Sequence, residues 1–266
     1  MIRLAATDLD GTLLRSNGTV SRRTCEAMRS AEAAGIVLAL VTGRPPRWME
    51  PVARATGHTG VAICANGALL YDLHTEQIVG STLLDTPVAL ATVAALRASV
   101  PGLSFAAEFT PGFGHEASYR HGWDLGEVEV RVGEAEELLD QPVVKLLARH
   151  PTMDRDELLA LAGELLGEDV TVTSSSTTEA LLEISAPGVT KATALAGLAA
   201  RHGITAEQVV AFGDMPNDLP MLAWAGRAVA VANAHPDVLA LADEVTASND
   251  DDGVALVLER LSAGAA

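Results

Sequence analysis

The sequence predicts an α/β fold in which a doubly wound parallel sheet is interrupted by an inserted α+β domain. Short apolar runs alternate with helical segments at both ends of the 266-residue chain, as expected of parallel strands joined by crossover helices. The middle of the chain lacks this alternation and holds most of the few aromatic residues. We therefore assign residues 1–83 and 188–266 to a Rossmann-like core and residues 84–187 to the insertion.

The core is predicted to begin with three strands and two crossover helices. The first apolar run ends at an aspartate-rich turn, and Ser21 is a favourable N-cap residue for the helix that follows. Gly35 suits the position after that helix, because glycine readily adopts the left-handed conformation. The predicted strands are 2–7, 36–41 and 61–64, and the predicted helices are 22–34 and 46–57.

After residue 188 the alternation resumes and completes the core. Thr190 caps one helix, and Asn217 begins another soon after a strand. The predicted strands here are 209–212, 228–231 and 245–247, and the helices are 191–201, one from 217, 236–241 and 253–261. In the insertion we predict helices at 87–98 and 154–166 and strands at 103–107, 143–148, 170–174 and 180–185.

The charge balance argues against several classes of partner. The chain has 18 Lys and Arg against 35 Asp and Glu, a net charge of −17, so attraction to nucleic acid or anionic lipid is not expected. It has no run of 18 apolar residues and no signal-peptide pattern, so we expect a cytoplasmic protein without membrane contact. Nothing indicates an obligate protein partner. Cys25 and Cys64 lack CxxC spacing and are expected to be buried free thiols.

Polar residues follow several of the predicted core strands, at the edge where doubly wound sheets bind ligands. Asp8 and Asp10 follow the first strand, and Gly11 lets the chain turn so that both carboxylates face one cavity. Thr42-Gly43-Arg44 follows the second strand, and its hydroxyl and backbone N–H groups are suited to phosphate oxygens. An ordinary helix cap is the alternative interpretation of that second segment.

Lys191 lies in the first turn of a predicted helix, where the helix dipole disfavours a cation. A pairing with an anion explains this position, and we expect removal of Lys191 to cost little stability. An acidic enzyme that acts on phosphates needs such a local cation. Asp214 ends a strand and needs a partner such as a metal ion, whereas capping of the next helix suffices to explain Asp218.

These residues fit one reaction, the hydrolysis of a phosphate ester through a phosphorylated aspartate. A carboxylate attacks an anionic phosphate poorly unless a dication screens the repulsion, and Mg²⁺ prefers oxygen ligands. Asp8 would attack, while Asp10 would protonate the leaving oxygen and later accept a proton from water. Lys191 and Thr42 would stabilise charge on the transferring oxygens.

Five segments, in order, resemble the haloacid dehalogenase superfamily, specifically its Cof-type (subfamily IIB) phosphatases: DLDGTLL, VTGR, NGA, GVTKATAL and GDMPNDLPML. The resemblance implies hydrolysis of small phosphorylated metabolites such as sugar, flavin-type or pyridoxal-type phosphates. It implies Mg²⁺ held by the Asp8 carboxylate, the Asp10 backbone carbonyl and Asp214. It implies phosphate binding by Thr42, Gly43, Lys191 and Asn217, with Asp218, Arg44 and Asn66 as supporting residues.

The inserted segment is then expected to be the family's α/β cap, which covers the site and selects the leaving group. Aromatic residues cluster there in an irregular, glycine-containing stretch, and we predict that Phe113, Tyr119 and Trp123 contact the substrate. The alternative is that these rings fill the cap's own core. The run Asp250-Asp251-Asp252 is interpreted as a solvated helix start.

Three alternative functions share part of this pattern. A phosphomutase of the same superfamily would form the aspartyl-phosphate but return the phosphoryl group to its substrate. A phospho-binding or signalling module resembling a receiver domain would also carry a phosphorylated aspartate beside Mg²⁺, but it would lack the insertion. A dinucleotide-binding oxidoreductase is disfavoured because no GxGxxG sequence follows a predicted strand.

Overall fold

The computed structural model describes residues 1–122, 125–175 and 179–264 and divides the chain into two compact units. The first unit combines Met1–Gly80 with Thr190–Ala266, and the second is Ser81–Val189. The borders predicted from the sequence, after residues 83 and 187, compare with Gly80 and Val189 in the structure.

The secondary structure alternates strands and helices along most of the chain. The strands are β1 (Leu4–Thr7), β2 (Val37–Val41), β3 (Val61–Cys64), β4 (Leu69–Asp72), β5 (Gln77–Ser81), β6 (Ser104–Glu108), β7 (Phe113–His115), β8 (Val130–Val132), β9 (Lys145–His150), β10 (Thr171–Thr173), β11 (Ala180–Ser185), β12 (Val209–Gly213), β13 (Arg227–Ala230) and β14 (Glu244–Val245). The helices are α1 (Arg22–Ala33), α2 (Glu50–Thr56), α3 (Thr86–Ser99), α4 (Ala135–Leu138), α5 (Arg155–Leu166), α6 (Lys191–Arg201), α7 (Leu219–Trp224), α8 (Pro236–Leu241) and α9 (Gly253–Ala263).

Within the described residues the first unit contains an eight-stranded sheet in the order β14-β13-β12-β1-β2-β3-β4-β5. The five pairings from β14 to β3 are parallel, and β4 runs antiparallel to β3. From β1 the chain proceeds to β2 and β3 on one side and places β12, β13 and β14 on the other. The order therefore reverses at β1, and the carboxyl ends of β1 and β12 lie side by side at the switch point, where such sheets bind ligands. The predicted α/β fold class is confirmed.

The helix caps of the first unit follow the sequence. The side chain of Ser21 accepts a hydrogen bond from the N–H of Thr24, and Gly35 has a φ of +82° after the helix, as predicted. Thr190 caps α6 through the N–H of Thr193. The segment that begins at Pro45-Pro46 departs from the prediction, because a 3₁₀ turn, Pro46–Trp48, precedes the short helix α2.

In the second unit the described residues form a six-stranded sheet in the order β10-β11-β9-β6-β7-β8. The pairs are antiparallel except β7 with β8, which explains why this part of the sequence lacks the parallel-strand pattern. Phe105 is fully buried, and Arg97 of α3 lies over its ring. This unit is an α+β fold, as predicted.

Two smaller expectations can be compared with the structure. Cys25 and Cys64 are both buried and form no disulfide, and burial raises the pKa of the Cys64 thiol to about 12. Both are therefore buried free thiols, as predicted, and thiols in such surroundings are unreactive. Among the helices of the described part of the chain, none combines the length and the apolar character needed to cross a bilayer.

Candidate active site

The site is centred on the ends of β1 and β12 in the first unit. Asp8 directly follows β1 and Asp214 directly follows β12, and these two strands pair in parallel with Thr7 opposite Phe212. The N–H of Asp8 continues the ladder by donating to the carbonyl of Phe212 at 3.0 Å. The sheet thus fixes the two aspartates relative to each other, and both are buried, at 6% exposure each.

Lys191 joins this pair of strands to a helix. It is the first residue of α6, and its Nζ donates at 2.6 Å to Oδ1 of Asp8 and at 2.6 Å to Oδ1 of Asp218. The residue is 1% exposed. The carboxylates offset the unfavourable helix dipole that the sequence indicated, so the lysine is a buried bridge between two anions and not a solvated surface cation.

Backbone N–H groups and a hydroxyl group bind the carboxylates of Asp218 and Asp214. Oδ2 of Asp218 accepts from the N–H groups of Asp214 and Met215, at 3.0 and 3.1 Å. Thr12 donates its hydroxyl to Oδ1 of Asp214 at 2.7 Å. Gly11 has a φ of +81°, and a Cβ at this position would lie 2.3 Å from Oδ2 of Asp214. Glycine is therefore the residue that fits here.

Burial and mutual repulsion dominate the electrostatics of this cluster. Burial raises the pKa of Asp8 well above its usual value, and repulsion from Asp218 and Asp214 adds to the effect, although Lys191 opposes it. Burial and the Asp218 carboxylate raise the pKa of Asp214 to about 7. Burial disfavours the charged form of Lys191, but Asp218 and Asp8 outweigh it and raise the lysine pKa. The cluster is therefore short of positive charge.

The donor set fits a divalent cation. Carboxylate oxygens of Asp8, Asp214 and Asp218 all lie within 4.8 Å of one another. Lys191 and two N–H groups occupy the oxygens of Asp218, whereas Oδ2 of Asp8 and Oδ2 of Asp214 have no hydrogen-bond partner among residues 1–122, 125–175 and 179–264. Hard oxygen donors with excess negative charge match the requirements of Mg²⁺. Asp8 and Asp214 are thus better placed than Asp218 to bind such an ion directly.

Asp10 lies apart from the buried cluster. Its side chain is 59% exposed, and Arg44 donates to both of its carboxylate oxygens, with Nε 2.7 Å from Oδ2. Arg44 follows β2, so this ion pair connects the segments after two neighbouring strands. The exposed position of Asp10 suits a group that exchanges protons, and the arginine sets the orientation of its carboxylate.

The remaining predicted phosphate residues lie at the ends of β2, β3 and β12. Thr42 is buried, and its hydroxyl accepts from the N–H of Arg44 at 3.1 Å. Gly43 separates these two residues. Asn217 donates its amide to Oδ1 of Asn66 at 3.2 Å, and both are buried. The backbone of Asn66 is left-handed, with a φ of 55°, which turns its side chain to meet Asn217.

Some residues that build the site carry no signal that the sequence analysis used. Thr12 belongs to the DLDGTLL segment, but only the fold brings its hydroxyl to Asp214. Asn233 and Asn249 each donate an amide to the loop that follows β1. Their distance along the chain from Asp8 hides this contact in the sequence.

Two of the rings predicted to contact substrate are buried in the second unit. Phe113 and Tyr119 are 1% and 3% exposed and belong to one apolar cluster with Ala106, Leu125, Leu147 and Leu181. This placement favours the alternative role, a contribution to the unit's own core, and contact with substrate stays a prediction. Trp123 lies outside the described residues.

The second unit also contains a cavity of about 600 Å³. Arg149 lines it and donates hydrogen bonds to the carbonyl of Arg120 and to Glu179. Further polar side chains in the lining are Ser104, Ser118 and His150. Most of the residues that line this cavity are polar or charged.

Comparisons with known proteins agree with the fold and the motifs. A sequence model of the family of haloacid dehalogenase-like hydrolases matches residues 5–258. The 5-amino-6-(5-phospho-D-ribitylamino)uracil phosphatase YcsE of Bacillus subtilis is 29% identical over 262 residues, which cover 96% of this chain and 93% of YcsE. The pyridoxal phosphate phosphatase YbhA of Escherichia coli is 30% identical over 264 residues, which cover 95% of this chain and 96% of YbhA.

A solved structure gives the same result. The crystal structure of a haloacid dehalogenase-like hydrolase from Bacteroides thetaiotaomicron has a TM-score of 0.75 and 30% identity, covering 98% of this chain and 100% of the other. The chain therefore belongs to the haloacid dehalogenase-like hydrolase family. It is an enzyme of the phosphatase type, and the predicted superfamily membership is confirmed.

Proposed function

We propose that this protein is a Mg²⁺-dependent phosphatase that hydrolyses small phosphorylated metabolites through an aspartyl-phosphate on Asp8. The observation that carries the proposal is the buried cluster of Asp8, Asp214 and Asp218 around Lys191 at the carboxyl ends of β1 and β12. A structural role alone does not account for three buried carboxylates with one ammonium, because uncompensated buried charge lowers stability.

Mg²⁺ would be held by the carboxylates of Asp8 and Asp214, whose Oδ2 atoms are available, and by the backbone carbonyl of Asp10, as the family resemblance implies. When bound, the ion screens the repulsion between the Asp8 carboxylate and an anionic phosphate and aligns the phosphoryl group. Asp218 supports this arrangement by fixing Lys191 and the N–H groups of Asp214 and Met215.

In the first half-reaction, a carboxylate oxygen of Asp8 forms a bond to phosphorus as the bond between phosphorus and the leaving oxygen breaks. Lys191 and Thr42 stabilise negative charge on the transferring oxygens, and Gly43 and Asn217 complete the phosphate site. Asp10 gives its proton to the leaving oxygen. Because Arg44 engages both oxygens of Asp10, one of them has to be released before Asp10 reaches the leaving group.

In the second half-reaction, water attacks the aspartyl-phosphate and Asp10, now a carboxylate, accepts the proton of that water. Inorganic phosphate leaves, the carboxylate of Asp8 is regenerated and Asp10 is protonated again. The same carboxyl group thus serves as acid in one step and base in the next. Its exposed position, two residues after the buried nucleophile in the chain, supports both roles.

The substrate class is inferred from the relatives. The relatives are named as phosphatases of a ribitylaminouracil phosphate and of pyridoxal phosphate. We infer that this enzyme acts on sugar phosphates or on flavin-type or pyridoxal-type phosphates. We also infer that residues 84–187 serve as the family's cap and residues 1–83 and 188–266 as its catalytic core, with the protein in the cytoplasm.

Two variants assayed with p-nitrophenyl phosphate test the covalent step. Asp8→Asn is expected to lose at least ~10³-fold in kcat while remaining folded. Asp10→Asn is expected to form the aspartyl-phosphate, because p-nitrophenolate leaves without protonation, but to hydrolyse it slowly. With ³²P-labelled substrate and acid quenching, label should stay on Asp10→Asn protein and be absent from Asp8→Asn protein.

Retention of more than a few per cent of activity in Asp8→Asn, or full activity after exhaustive chelation of metal, would overturn the proposal. Wild-type protein should release free phosphate from a panel of sugar, flavin and pyridoxal phosphates. Transfer of the phosphoryl group to another position of a sugar phosphate without release would instead indicate a phosphomutase. A stable phosphoprotein without turnover would indicate a signalling module.

A further inference from the structure

The loop after β1 is attached to a distant part of the chain by side-chain amides. Asn233 donates its amide to the carbonyl of Gly11 at 2.8 Å, and Asn249 donates its amide to the carbonyl of Leu14 at 2.9 Å. The two asparagines are themselves joined, since the N–H of Asn249 donates to Oδ1 of Asn233 at 2.9 Å. Asn249 is 6% exposed.

The same two segments meet again further along the loop. Asp250 accepts hydrogen bonds from the N–H and the hydroxyl of Ser16, at 2.9 and 2.7 Å. Asp252 accepts from Arg15 at 2.8 Å and has a left-handed backbone with a φ of 60°. A non-glycine residue rarely takes that conformation without a compensating contact. The run directly precedes α9, with Asp252 as its N-cap residue and with Asp250 and Asp251 exposed, as interpreted from the sequence. Asp250 and Asp252 also bind the loop after β1.

These contacts act on two residues that adjoin Asp10 in the loop. Asp10 directly precedes Gly11, and it forms an isolated β-bridge with Leu14. The two carbonyls that the asparagines hold therefore belong to the residue after Asp10 and to the residue that Asp10 pairs with. Arg44 binds the side chain of Asp10, whereas the asparagines bind the backbone of the loop around Asp10. The asparagines therefore supply a separate restraint.

We propose that Asn233 and Asn249 are positioning residues that hold the loop of Asp10 so that its carboxyl group reaches the leaving oxygen. The proposal rests on the proposed acid/base function of Asp10. Among the described residues, neither asparagine forms a hydrogen bond to the phosphate residues Thr42, Lys191 or Asn217. Because the backbone carbonyl of Asp10 is also a proposed Mg²⁺ ligand, the variants are compared at saturating Mg²⁺. Under that condition, loss of the restraint should impair proton transfer and leave phosphate binding intact.

Comparing kcat/KM for two substrates with different leaving groups distinguishes a positioning role from a general structural role. An alkoxide leaving group needs the proton of Asp10, whereas p-nitrophenolate does not. The value of kcat/KM reports the steps up to departure of the leaving group, so it is independent of the later hydrolysis of the aspartyl-phosphate. A misplaced acid thus lowers kcat/KM for an alkyl phosphate selectively.

Asn233→Asp tests one hydrogen bond at a time. The aspartate still accepts from the N–H of Asn249, but it cannot donate to the carbonyl of Gly11. Because Asn233 is exposed, the substitution should not disturb the core. We expect kcat/KM for a sugar phosphate that the wild type hydrolyses to fall about 10- to 100-fold, with less than about a threefold change for p-nitrophenyl phosphate. Asn233→Ala, which adds no charge, should show the same selectivity, as should Asn249→Ala if it folds.

Asn17→Ala is the matched control. Asn17 lies in the same loop, but among the described residues its side chain forms hydrogen bonds only with Thr19. We therefore expect kcat/KM for both substrates to be unchanged. An equal loss for both substrates, or no loss in Asn233→Ala, would overturn the proposal. If wild-type protein releases no phosphate from any ester, or Asp10→Asn has wild-type kcat/KM for sugar phosphates, the proposed function has failed instead.

Discussion

Replacing Lys191 by Met removes the ammonium that joins Asp8 to Asp218 and keeps a side chain of similar length. All three residues are buried, at 1%, 6% and 0% exposure. Removing one partner of a buried ion pair costs ~3–5 kcal/mol, because the remaining charge is left uncompensated. At ~2–4 °C per kcal/mol for a domain of this size, the Tm should fall by about 6–20 °C at neutral pH without Mg²⁺.

This expectation replaces the one drawn from the sequence, where a lysine in the first turn of a helix opposes the dipole and its removal costs little. The dipole effect is worth only ~0.3–1 kcal/mol at an exposed site, which is small beside the loss of two buried ion pairs. Arg201→Ala at the exposed far end of the same helix is the control, and it should change the stability by less than ~1 kcal/mol.

The dependence on pH has a definite sign. Because Lys191 has a raised pKa in the folded state, its own contribution is complete at every pH below the unfolded value of about 10.5. Asp8 has a raised pKa when folded, so it binds more protons folded than unfolded and destabilises the fold increasingly as the pH rises. Without its cation this effect grows, and the deficit of Lys191→Met should be larger at about pH 8 than at about pH 5.

Thermal unfolding by circular dichroism at both pH values, with and without Mg²⁺, measures the effect. A Tm within about 2 °C of the wild type at pH 8 without metal would refute the reasoning, since ~3 kcal/mol should be visible. If the difference in Tm between Lys191→Met and the wild type became smaller as the pH rises, uncompensated carboxylates would not be the cause of the lost stability. Mg²⁺ should restore part of the lost stability, because it replaces some of the missing positive charge.

Two further predictions concern the metal and the second unit. Because the pKa of Asp214 is raised to about 7, protons compete with the metal for this carboxylate. The Mg²⁺ affinity measured by calorimetry should therefore rise with pH between 5.5 and 7.5, and an affinity independent of pH in that range would count against Asp214 as a ligand. Phe113→Ala should lower the stability of the second unit by ~3–5 kcal/mol and reduce kcat/KM by one common factor across a substrate panel, whereas unequal factors would favour contact with substrate.

The parallel core was predictable because most of its strands, namely β1, β2, β3, β12 and β13, are largely buried apolar runs. The strands that the sequence analysis missed are short or exposed: β5 has the sequence QIVGS and is exposed along most of its length, and β8 is three residues long with two exposed valines. Edge strands like these have few buried side chains, so they leave little hydrophobic pattern to detect. Strand β4 and helix α4 have only four residues each, which is too short to give a periodic pattern.

The main residues of the site were predictable because a parallel sheet brings the ends of its strands to one edge. Asp8 and Asp214 are 206 positions apart along the chain, yet β1 and β12 pair directly. Thr12, Asn233 and Asn249 were not predictable in this way, since loop positions depend on how each turn closes. The pairing of Asp10 with Arg44 required the actual geometry of the loops after β1 and β2.

The charges of the site also show why phosphate and metal binding belong together. Four carboxylates, those of Asp8, Asp10, Asp214 and Asp218, face only two cations, Lys191 and Arg44, which gives −4 + 2 = −2 when all are ionised. Both cations are already paired, so neither is a spare positive charge for a dianionic phosphate, and the protein's net charge of −17 adds repulsion at long range. Lys191, the local cation expected from the acidic composition, is therefore not enough by itself to bind a dianionic phosphate. A divalent cation neutralises this charge of −2 and so removes the repulsion that opposes phosphate binding. Because linkage between two binding events is reciprocal, bound phosphate strengthens metal binding by the same factor.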